Sequence, residues 1–357
     1  MQIIVLGVHR SGTSLVTRLI NMMGAFFDTG HASIGFNDEN PKGFWERSDV
    51  IACNDQMLAL QQSSWDQLAQ WKQSPPKTRK PSPEQEKIEH AMKTILLTLD
   101  ANRPWVVKDP RMCLTFDHWR AHLEVPVVIC VHRDPLEVAL SLSTRNGFSF
   151  AHGLAIWEYY AVSMLNSMRG LPVIFIEHKA ILNDPVAVVK SLYEQLNKEN
   201  VQGLRLPSDK EITTFIEPSL YRSKLTNEDY EQGLTSYHTQ LIEMLTGKRA
   251  LPEKNLMPSL AARDAMKAFE KLRRMEIQMT TNNNHYAAAQ QELNELKDFR
   301  QRILTEVQHE LLRSRKILEE KDEQIKRLKS SRSWKLGNGF IRLITLRWFT
   351  RPPMTMS

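Results

Sequence analysis

The chain has 357 residues, of which 41 % are hydrophobic and 25 % charged, and its formal net charge is +6 at pH 7. These values are those of an ordinary globular protein and exclude a disordered chain or a membrane protein with many spans. The three cysteines, Cys53, Cys113 and Cys130, are far apart and lack metal-ligand spacing. They argue against a disulfide framework or a zinc site and favour a reducing compartment.

Short apolar runs alternate with helical patterns in the first part of the chain. Residues 3–6 (IIVL) are typical of a buried strand, and the stretch 12–24 that follows has apolar residues at helical spacing. Further apolar runs, each followed by a helical pattern, lie at 105–107, 126–131 and 172–176. This alternation predicts an α/β fold with a parallel sheet flanked by helices on both faces.

A long region at 26–84, rich in Trp and Pro, separates the first helix from the second strand. We expect it to be irregular, because long insertions in α/β enzymes form lids or walls of acceptor sites. The segment 251–259 (LPEKNLMPS) has the composition of a domain boundary. The sequence therefore predicts a globular domain over 1–255.

The pattern at 256–329 predicts a long-helix or coiled-coil extension, interrupted at 280–284 (TTNNN), because Thr and Asn prefer caps and turns to helix interiors. Four aliphatic residues recur every seven positions, namely Leu304, Leu311, Leu318 and Ile325. Val307 and Leu328 fit this heptad, whereas Ser314 and Lys321 do not. We predict a homo-oligomer formed through 285–329, with a solvated helix that folds back on the domain as the alternative.

The residues at 330–357 form a basic, aromatic tail. From residue 262 onward the chain has 20 Lys+Arg against 12 Asp+Glu, and from residue 326 onward eight basic residues and no acidic one. Such a segment suits an anionic membrane surface, and a disordered basic tail is the alternative.

The start of the chain lacks the pattern of a secretory signal, and no apolar run reaches 18 residues. We therefore expect a cytoplasmic protein, held peripherally at the inner membrane face by its tail, with no nucleic-acid partner.

The segment Gly7 to Ser14 (GVHRSGTS) has the glycine spacing and terminal hydroxyl of a P-loop. Thr13 stands where the loop lysine belongs, and the cation is Arg10 instead. Between a strand and a helix, such a loop offers backbone N–H groups and a helix dipole to a phosphate. A structural glycine turn is the alternative for this segment.

A nucleoside triphosphatase also needs an acidic residue at a neighbouring strand end to help hold Mg²⁺. Here the run VVICV is followed by His132, Arg133 and Asp134, so a cation precedes the acid. Asp134 followed by Pro135 fits an N-cap and first helical position. The sequence thus indicates a second anion site and no metal.

Three segments in order carry a family resemblance: HRSGTS in the loop, KDPR at 108–111 and HRDPLEVALSL at 132–142. Together they resemble the phosphoadenosine-phosphosulfate sulfotransferases over roughly residues 1–200. The resemblance is to the bacterial branch and to tyrosylprotein sulfotransferases, whose loop carries P-R-S-G-T-T, more than to cytosolic sulfotransferases with P-K-S-G-T-T. It implies the P-loop type of parallel sheet.

The resemblance also implies a site for 3′-phosphoadenosine 5′-phosphosulfate (PAPS). The 5′-phosphosulfate would be bound by the loop, that is by Arg10, Ser11, Gly12, Thr13 and Ser14. Arg133 and Ser141, eight residues apart as in the family's second motif, would hold the 3′-phosphate. An Arg supplies a permanently charged fork of donors, and a Ser on a helix adds a hydroxyl.

Transfer of a sulfuryl group spreads negative charge over oxygens, so the site needs cations and a base. We assign the cations to Arg10 and to Lys108, which ends the strand at 105–107, with a surface ion pair to Asp109 as the alternative for Lys108. The resemblance to tyrosylprotein sulfotransferases implies a glutamate as base, for which we favour Glu46, after a turn and two aromatic residues. Glu39 and His31 stay open as alternative bases. A further alternative is that Glu46 is only a turn or surface residue.

The sequence therefore predicts a sulfotransferase that moves a sulfuryl group from PAPS to an acceptor hydroxyl, without a metal. The acceptor we expect is a carbohydrate or lipid-linked sugar, on which Trp45, Trp65 or Trp71 would stack, although Trp is as often a core residue. The R-K-G-x-x-G-D-W-K segment of the cytosolic enzymes is absent, which leaves the adenine contacts open. The alternatives are a kinase with a degenerate P-loop and a non-catalytic coiled-coil membrane adaptor.

Overall fold

A computed structural model describes residues 1–28, 43–73, 81–216, 234–333, 335–337 and 339. The chain forms two compact units, Met1–Arg274 and Met275–Ser357. The three-part division expected from the sequence, with boundaries near 255 and 329, stays a prediction.

The first unit is built on a four-stranded parallel sheet. Its strands are β1 (Gln2–Leu6), β2 (Trp105–Lys108), β3 (Pro126–His132) and β4 (Val173–Glu177), in the spatial order β2-β1-β3-β4. In the register, Ile4 lies between Val107 and Val128, so the apolar rows of neighbouring strands coincide. The parallel α/β fold and the positions of its strands, as predicted from the apolar runs, are confirmed.

Helices follow the strands, as expected for parallel connections. In chain order they are α1 (Thr13–Met22), α2 (Ser48–Ala59), α3 (Pro83–Asp100), α4 (Met112–Arg120), α5 (Pro135–Asn146), α6 (Phe150–Ser167), α7 (His178–Asn183), α8 (Pro185–Lys198), α9 (Asp209–Phe215), α10 (Ser236–Leu245) and α11 (Leu260–Ser330). Helix α2 lies within the region 26–84 that was expected to be irregular, so that expectation was wrong for these twelve residues.

Two apolar layers cover the sheet because strand side chains alternate between its faces. Ile4, Leu6 and Val128 belong to a layer built with α2, α3, α4 and α6, whereas Ile3 and Val5 belong to one built with α1 and α8. A sheet covered on both faces leaves its carboxyl edge as the accessible place for ligands.

The long helix α11 is continuous from Leu260 to Ser330. The interruption predicted at 280–284 is therefore wrong. Thr280 Oγ1 and Thr281 Oγ1 donate to the carbonyls of Glu276 and Ile277, each 2.9 Å away, so these hydroxyls bond within the helix. No helix within the described residues is both long and apolar enough to cross a bilayer.

Candidate active site

The loop between β1 and α1 has a backbone that its glycines make possible. Arg10 and Gly12 have positive φ angles of 68° and 85°, which turns the chain sharply ahead of α1. A Cβ at Gly7 would lie 2.6 Å from Thr13 Cγ2 and 2.7 Å from Val131 O, and one at Gly12 would lie 2.3 Å from His178 Cδ2. Both positions therefore require glycine, and the close packing holds the loop at the carboxyl edge of the sheet.

A buried hydroxyl in this loop fits an anionic ligand. Ser11 is 1 % exposed, and its Oγ has no hydrogen-bond partner within the described residues. An unpaired buried polar group of this kind costs roughly 1–3 kcal/mol. An oxygen of a bound phosphate or sulfate group would accept its proton, so the loop is suited to the phosphosulfate that the sequence predicts there.

The two residues predicted to hold the 3′-phosphate lie directly against the loop arginine. Arg10 Nε donates to Ser141 Oγ at 3.0 Å, and Arg133 Nη1 donates to the Arg10 carbonyl at 2.7 Å. Arg133 also pairs with Glu137, with Nε 2.8 Å from Oε2. Asp134 caps α5 by accepting from Leu136 N, as expected, so β3 and α5 fix the positions of Arg133 and Ser141.

Lys108 is buried at the loop, and its side chain is 1 % exposed. Its Nζ donates to Ser14 Oγ at 3.0 Å, to Phe44 O at 2.6 Å and to Glu46 Oε1 at 2.5 Å. Lys108 does not form the surface ion pair with Asp109 that was the alternative for it. The Asp109 carboxylate instead pairs with Arg111 at 3.0 Å and accepts from Asn54. The structure thus brings two predicted catalytic residues, Lys108 and Glu46, together with Ser14.

The other two candidates for the base, Glu39 and His31, lie outside the described residues. The roles assigned to the site residues stay predictions. What the contacts establish is that Arg10, Lys108, Arg133 and Glu46 share one edge of the sheet.

Sequence reasoning missed His9, which lies inside the loop next to Arg10. Its ring centroid is 4.7 Å from that of Trp65 and 5.4 Å from that of Tyr160, and its Nε2 is 3.2 Å from Tyr160 Oη. Burial, followed by the positive charges around it, holds the pKa of His9 well below its usual value. A histidine within a phosphate loop was the available signal for it.

A second histidine, His178, lies at the end of β4 and packs against Gly12. Burial, and then the charge of Arg133, lowers the pKa of His178 to about 4. The ring is therefore neutral at pH 7 and leaves the positive charge at this edge to the arginines and the lysine.

The three tryptophans expected to face an acceptor differ in their surroundings. Trp71 is buried in the apolar core, which agrees with the alternative that it is a core residue. Trp45 lies 5.3 Å from Phe27, with the Arg18 guanidinium 4.7 Å above its ring. Trp65 packs against the ring of His9 in the loop.

The described residues contain no group of three or more His, Cys, Asp or Glu side chains that is arranged to hold a metal ion. Anion-binding groups are what the loop edge presents.

A strand, a glycine loop and a helix at the carboxyl edge of a parallel sheet define a P-loop-like nucleotide-binding fold. Residues 2–201 match the model of the sulfotransferase family, and the chain belongs to that family. No curated protein matches the chain.

Solved structures that are similar to the chain include two sulfotransferase domains. The sulfotransferase domain from the Synechococcus PCC 7002 olefin synthase is 15 % identical, with 76 % of this chain and 94 % of that domain covered and a TM-score of 0.39. The sulfotransferase domain from the curacin biosynthetic pathway is 14 % identical, with 75 % and 96 % covered and a TM-score of 0.35.

Proposed function

We propose that the chain transfers a sulfuryl group from PAPS to a hydroxyl on a carbohydrate or glycolipid acceptor. The observation that carries the proposal is the connected set of contacts at the loop edge. Arg10 bonds Ser141, Arg133 bonds Arg10, and the buried Lys108 bonds Ser14. Members of the sulfotransferase family generally use this donor.

Each residue has a role that its position supports. When bound, PAPS supplies a sulfuryl group linked through oxygen to the 5′-phosphate. Arg10 and Lys108 stabilise the negative charge that develops on the sulfate and bridging oxygens, while Arg133 and Ser141 hold the 3′-phosphate. Glu46 or another base near the loop accepts the proton of the acceptor hydroxyl.

Binding of adenosine 3′,5′-bisphosphate in the absence of Mg²⁺ tests the nucleotide part of this proposal. We expect saturable binding in calorimetry, and weaker binding of adenosine 5′-monophosphate, which lacks the 3′-phosphate. A kinase with a degenerate loop would instead require ATP with Mg²⁺. A non-catalytic adaptor would bind neither nucleotide, and this result would refute the proposal.

The carbohydrate acceptor is supported by Trp65, a half-buried indole beside the loop that can stack on a sugar ring. Transfer of labelled sulfate to a panel of glycans and lipid extracts is the direct test. Label that appears in protein side chains but not in glycans or lipids would exclude this acceptor class.

We place the protein in the cytoplasm, at the inner face of the membrane. The three cysteines are free and buried, which suits a reducing compartment. The tail predicted to bind anionic lipid lies mostly outside the described residues, so this part of the proposal depends on its sequence: eight basic and no acidic residues from position 326.

We propose that residues 285–329 associate with a second copy of the chain as a parallel coiled coil. The heptad residues Leu304, Leu311, Leu318 and Ile325 are all exposed on the single helix. Counting heptads from Leu311 places Glu310 opposite Arg315 of the second copy. This pair is attractive, which favours an in-register dimer.

A further inference from the structure

The imidazole of His9 is held in one tautomer. Its Nε2 lies 3.2 Å from Tyr160 Oη, and Tyr160 donates its single hydroxyl proton to the Trp65 carbonyl at 2.9 Å. Because that proton is already used, the tyrosine oxygen is the acceptor in its contact with His9, so the ring proton lies on Nε2. The neutral ring therefore has its lone pair on Nδ1.

Four cationic groups surround this ring. They come from four parts of the fold, namely Arg10 in the loop, Lys108 at the end of β2, Arg111 ahead of α4 and Arg145 in the last turn of α5. Together with burial, which has the larger effect, these charges lower the pKa of His9 and keep the ring neutral at pH 7. A neutral imidazole inside a cationic site has the protonation state that a general base needs.

Carboxylates offset part of this positive charge. Asp55 and Asp109 lie 2.7 Å and 3.0 Å from the Arg111 guanidinium, and Glu46 lies 2.5 Å from Lys108 Nζ. On the side of Trp65, the carboxylate of Asp66 accepts from Ser64 Oγ at 2.7 Å.

The contrast with Glu46 is informative. Glu46 Oε1 is bound by the Lys108 ammonium, so accepting a proton there would disrupt a nearly buried ion pair. The lone pair of His9 Nδ1 lies on the opposite side of the ring from the Tyr160 contact. Accepting a proton at Nδ1 therefore leaves the Nε2 hydrogen bond in place.

We propose that His9, rather than Glu46, takes the proton of the acceptor hydroxyl, with Nδ1 as the accepting atom and Tyr160 as the positioning residue that fixes the ring. This inference rests on the proposed sulfotransfer. The acceptor oxygen forms its bond to sulfur while its proton passes to Nδ1. The bond between sulfur and the 5′-phosphate oxygen breaks, and its electron pair stays on that oxygen of the released adenosine 3′,5′-bisphosphate. The imidazolium then gives its proton to water.

The cationic surroundings also couple this step to nucleotide binding. In the free protein a proton on His9 would add a further positive charge beside Arg10 and Lys108. The anionic groups of a bound nucleotide offset those charges, so protonation of His9 becomes less unfavourable once the nucleotide is in place. His9 thus becomes an effective base when there is a sulfuryl group to transfer.

Nitrogen-15 NMR of the full-length protein labelled in its histidines tests the tautomer of His9 and its coupling to nucleotide binding, and it needs no known acceptor. Spectra are recorded from about pH 4.5 to 8 with and without adenosine 3′,5′-bisphosphate, and the His9→Gln variant identifies the His9 signals. We expect a neutral ring with the proton on Nε2 in the free protein, and a titration midpoint at least about one pH unit higher with the nucleotide. His118, in the last turn of α4, is the internal control whose midpoint should not change.

The outcomes separate this inference from the proposed function. If the bisphosphate does not bind, the proposed sulfotransfer and the role of His9 both fail. If it binds but the titration midpoint of His9 does not move, or the ring proton lies on Nδ1, only the role of His9 is refuted. A second measurement is sulfate transfer to the responding acceptor of the glycan and lipid panel. His9→Gln should lower turnover by about 10²-fold or more and leave bisphosphate affinity unchanged. A larger loss of turnover in Glu46→Gln than in His9→Gln would overturn the proposal.

Discussion

Replacing Lys108 by Met tests whether its buried ammonium acts in the reaction or only in the fold. The substitution keeps most of the side-chain volume and removes the charge. Glu46, Phe44 O and Ser14 Oγ then lose the donor that lies 2.5, 2.6 and 3.0 Å from them. Removing one partner of a buried ion pair costs about 3–5 kcal/mol. Because the Glu46 side chain is 12 % exposed and can reach water, we expect about 3 kcal/mol here, at the lower end.

The matched control is the double variant Lys108→Met/Glu46→Gln, which removes both charges. Since the stranded carboxylate is gone, part of the lost stability should return, with an interaction free energy of about 1–3 kcal/mol measured by urea unfolding of the four proteins. Turnover should not return, because the cation assigned to the transferring group is still missing. We expect labelled-sulfate transfer to fall about 10²-fold or more in both Lys108 variants, with little change in adenosine 3′,5′-bisphosphate affinity.

Two results would refute this reasoning. If Lys108→Met transfers sulfate at the wild-type rate, the lysine has no part in the reaction. If the double variant regains both stability and turnover, Lys108 serves only to neutralise Glu46.

Four further perturbations have definite expected outcomes. Arg133→Ala should weaken calorimetric binding of adenosine 3′,5′-bisphosphate by about 1.5–3 kcal/mol and spare adenosine 5′-monophosphate; equal losses would contradict its assignment to the 3′-phosphate. Protein truncated to 1–325 should sediment less with anionic vesicles at low salt than the full chain, whereas neutral vesicles should bind neither, and equal binding of both proteins would exclude the tail. Leu311→Asp should convert a dimer to a monomer in analytical ultracentrifugation, while Leu312→Asp, one position off the heptad stripe, should not. Burial lowers the pKa of His152 to about 4. As the pH falls from about 6.5 towards 4, the unfolded chain binds a proton at this histidine and the folded protein does not, so the free energy of unfolding decreases. His152→Phe should reduce the slope of that decrease, measured by urea unfolding, by about 1.4 kcal/mol per pH unit.

The parts of the site that follow from local sequence could be predicted. The glycine spacing of the loop, the cap at Asp134 and the spacing between Arg133 and Ser141 each depend on residues within one strand-to-helix connection. In such a connection the strand end fixes the arginine, and the helix that follows fixes the serine two turns later. Their contact with Arg10 depends on the strand order, which the structure supplies: β1 and β3 are neighbours and both end at the same edge.

The contacts between distant segments could not be predicted. Lys108 and Glu46 are 62 positions apart, and His9 and Tyr160 are 151 positions apart. Helix α2 was missed because its buried face includes a polar residue: Asn54 donates to Asp109 and accepts from Thr115 and Trp119. A pattern search that counts apolar residues at helical spacing loses that position.

The contacts of Arg10 connect the two groups of residues assigned to the two ends of the donor. Its carbonyl accepts from Arg133 and its Nε donates to Ser141 Oγ, so the loop that would bind the 5′-phosphosulfate is attached to the pair that would bind the 3′-phosphate. Because Ser141 Oγ has one proton and two lone pairs, it can donate to the phosphate and still accept from Arg10. Under the proposed assignment, binding at one end of the donor would orient the arginine assigned to the charge at the other end, which would be a reason for this chain to place its loop cation at Arg10 rather than at the lysine position of other P-loops.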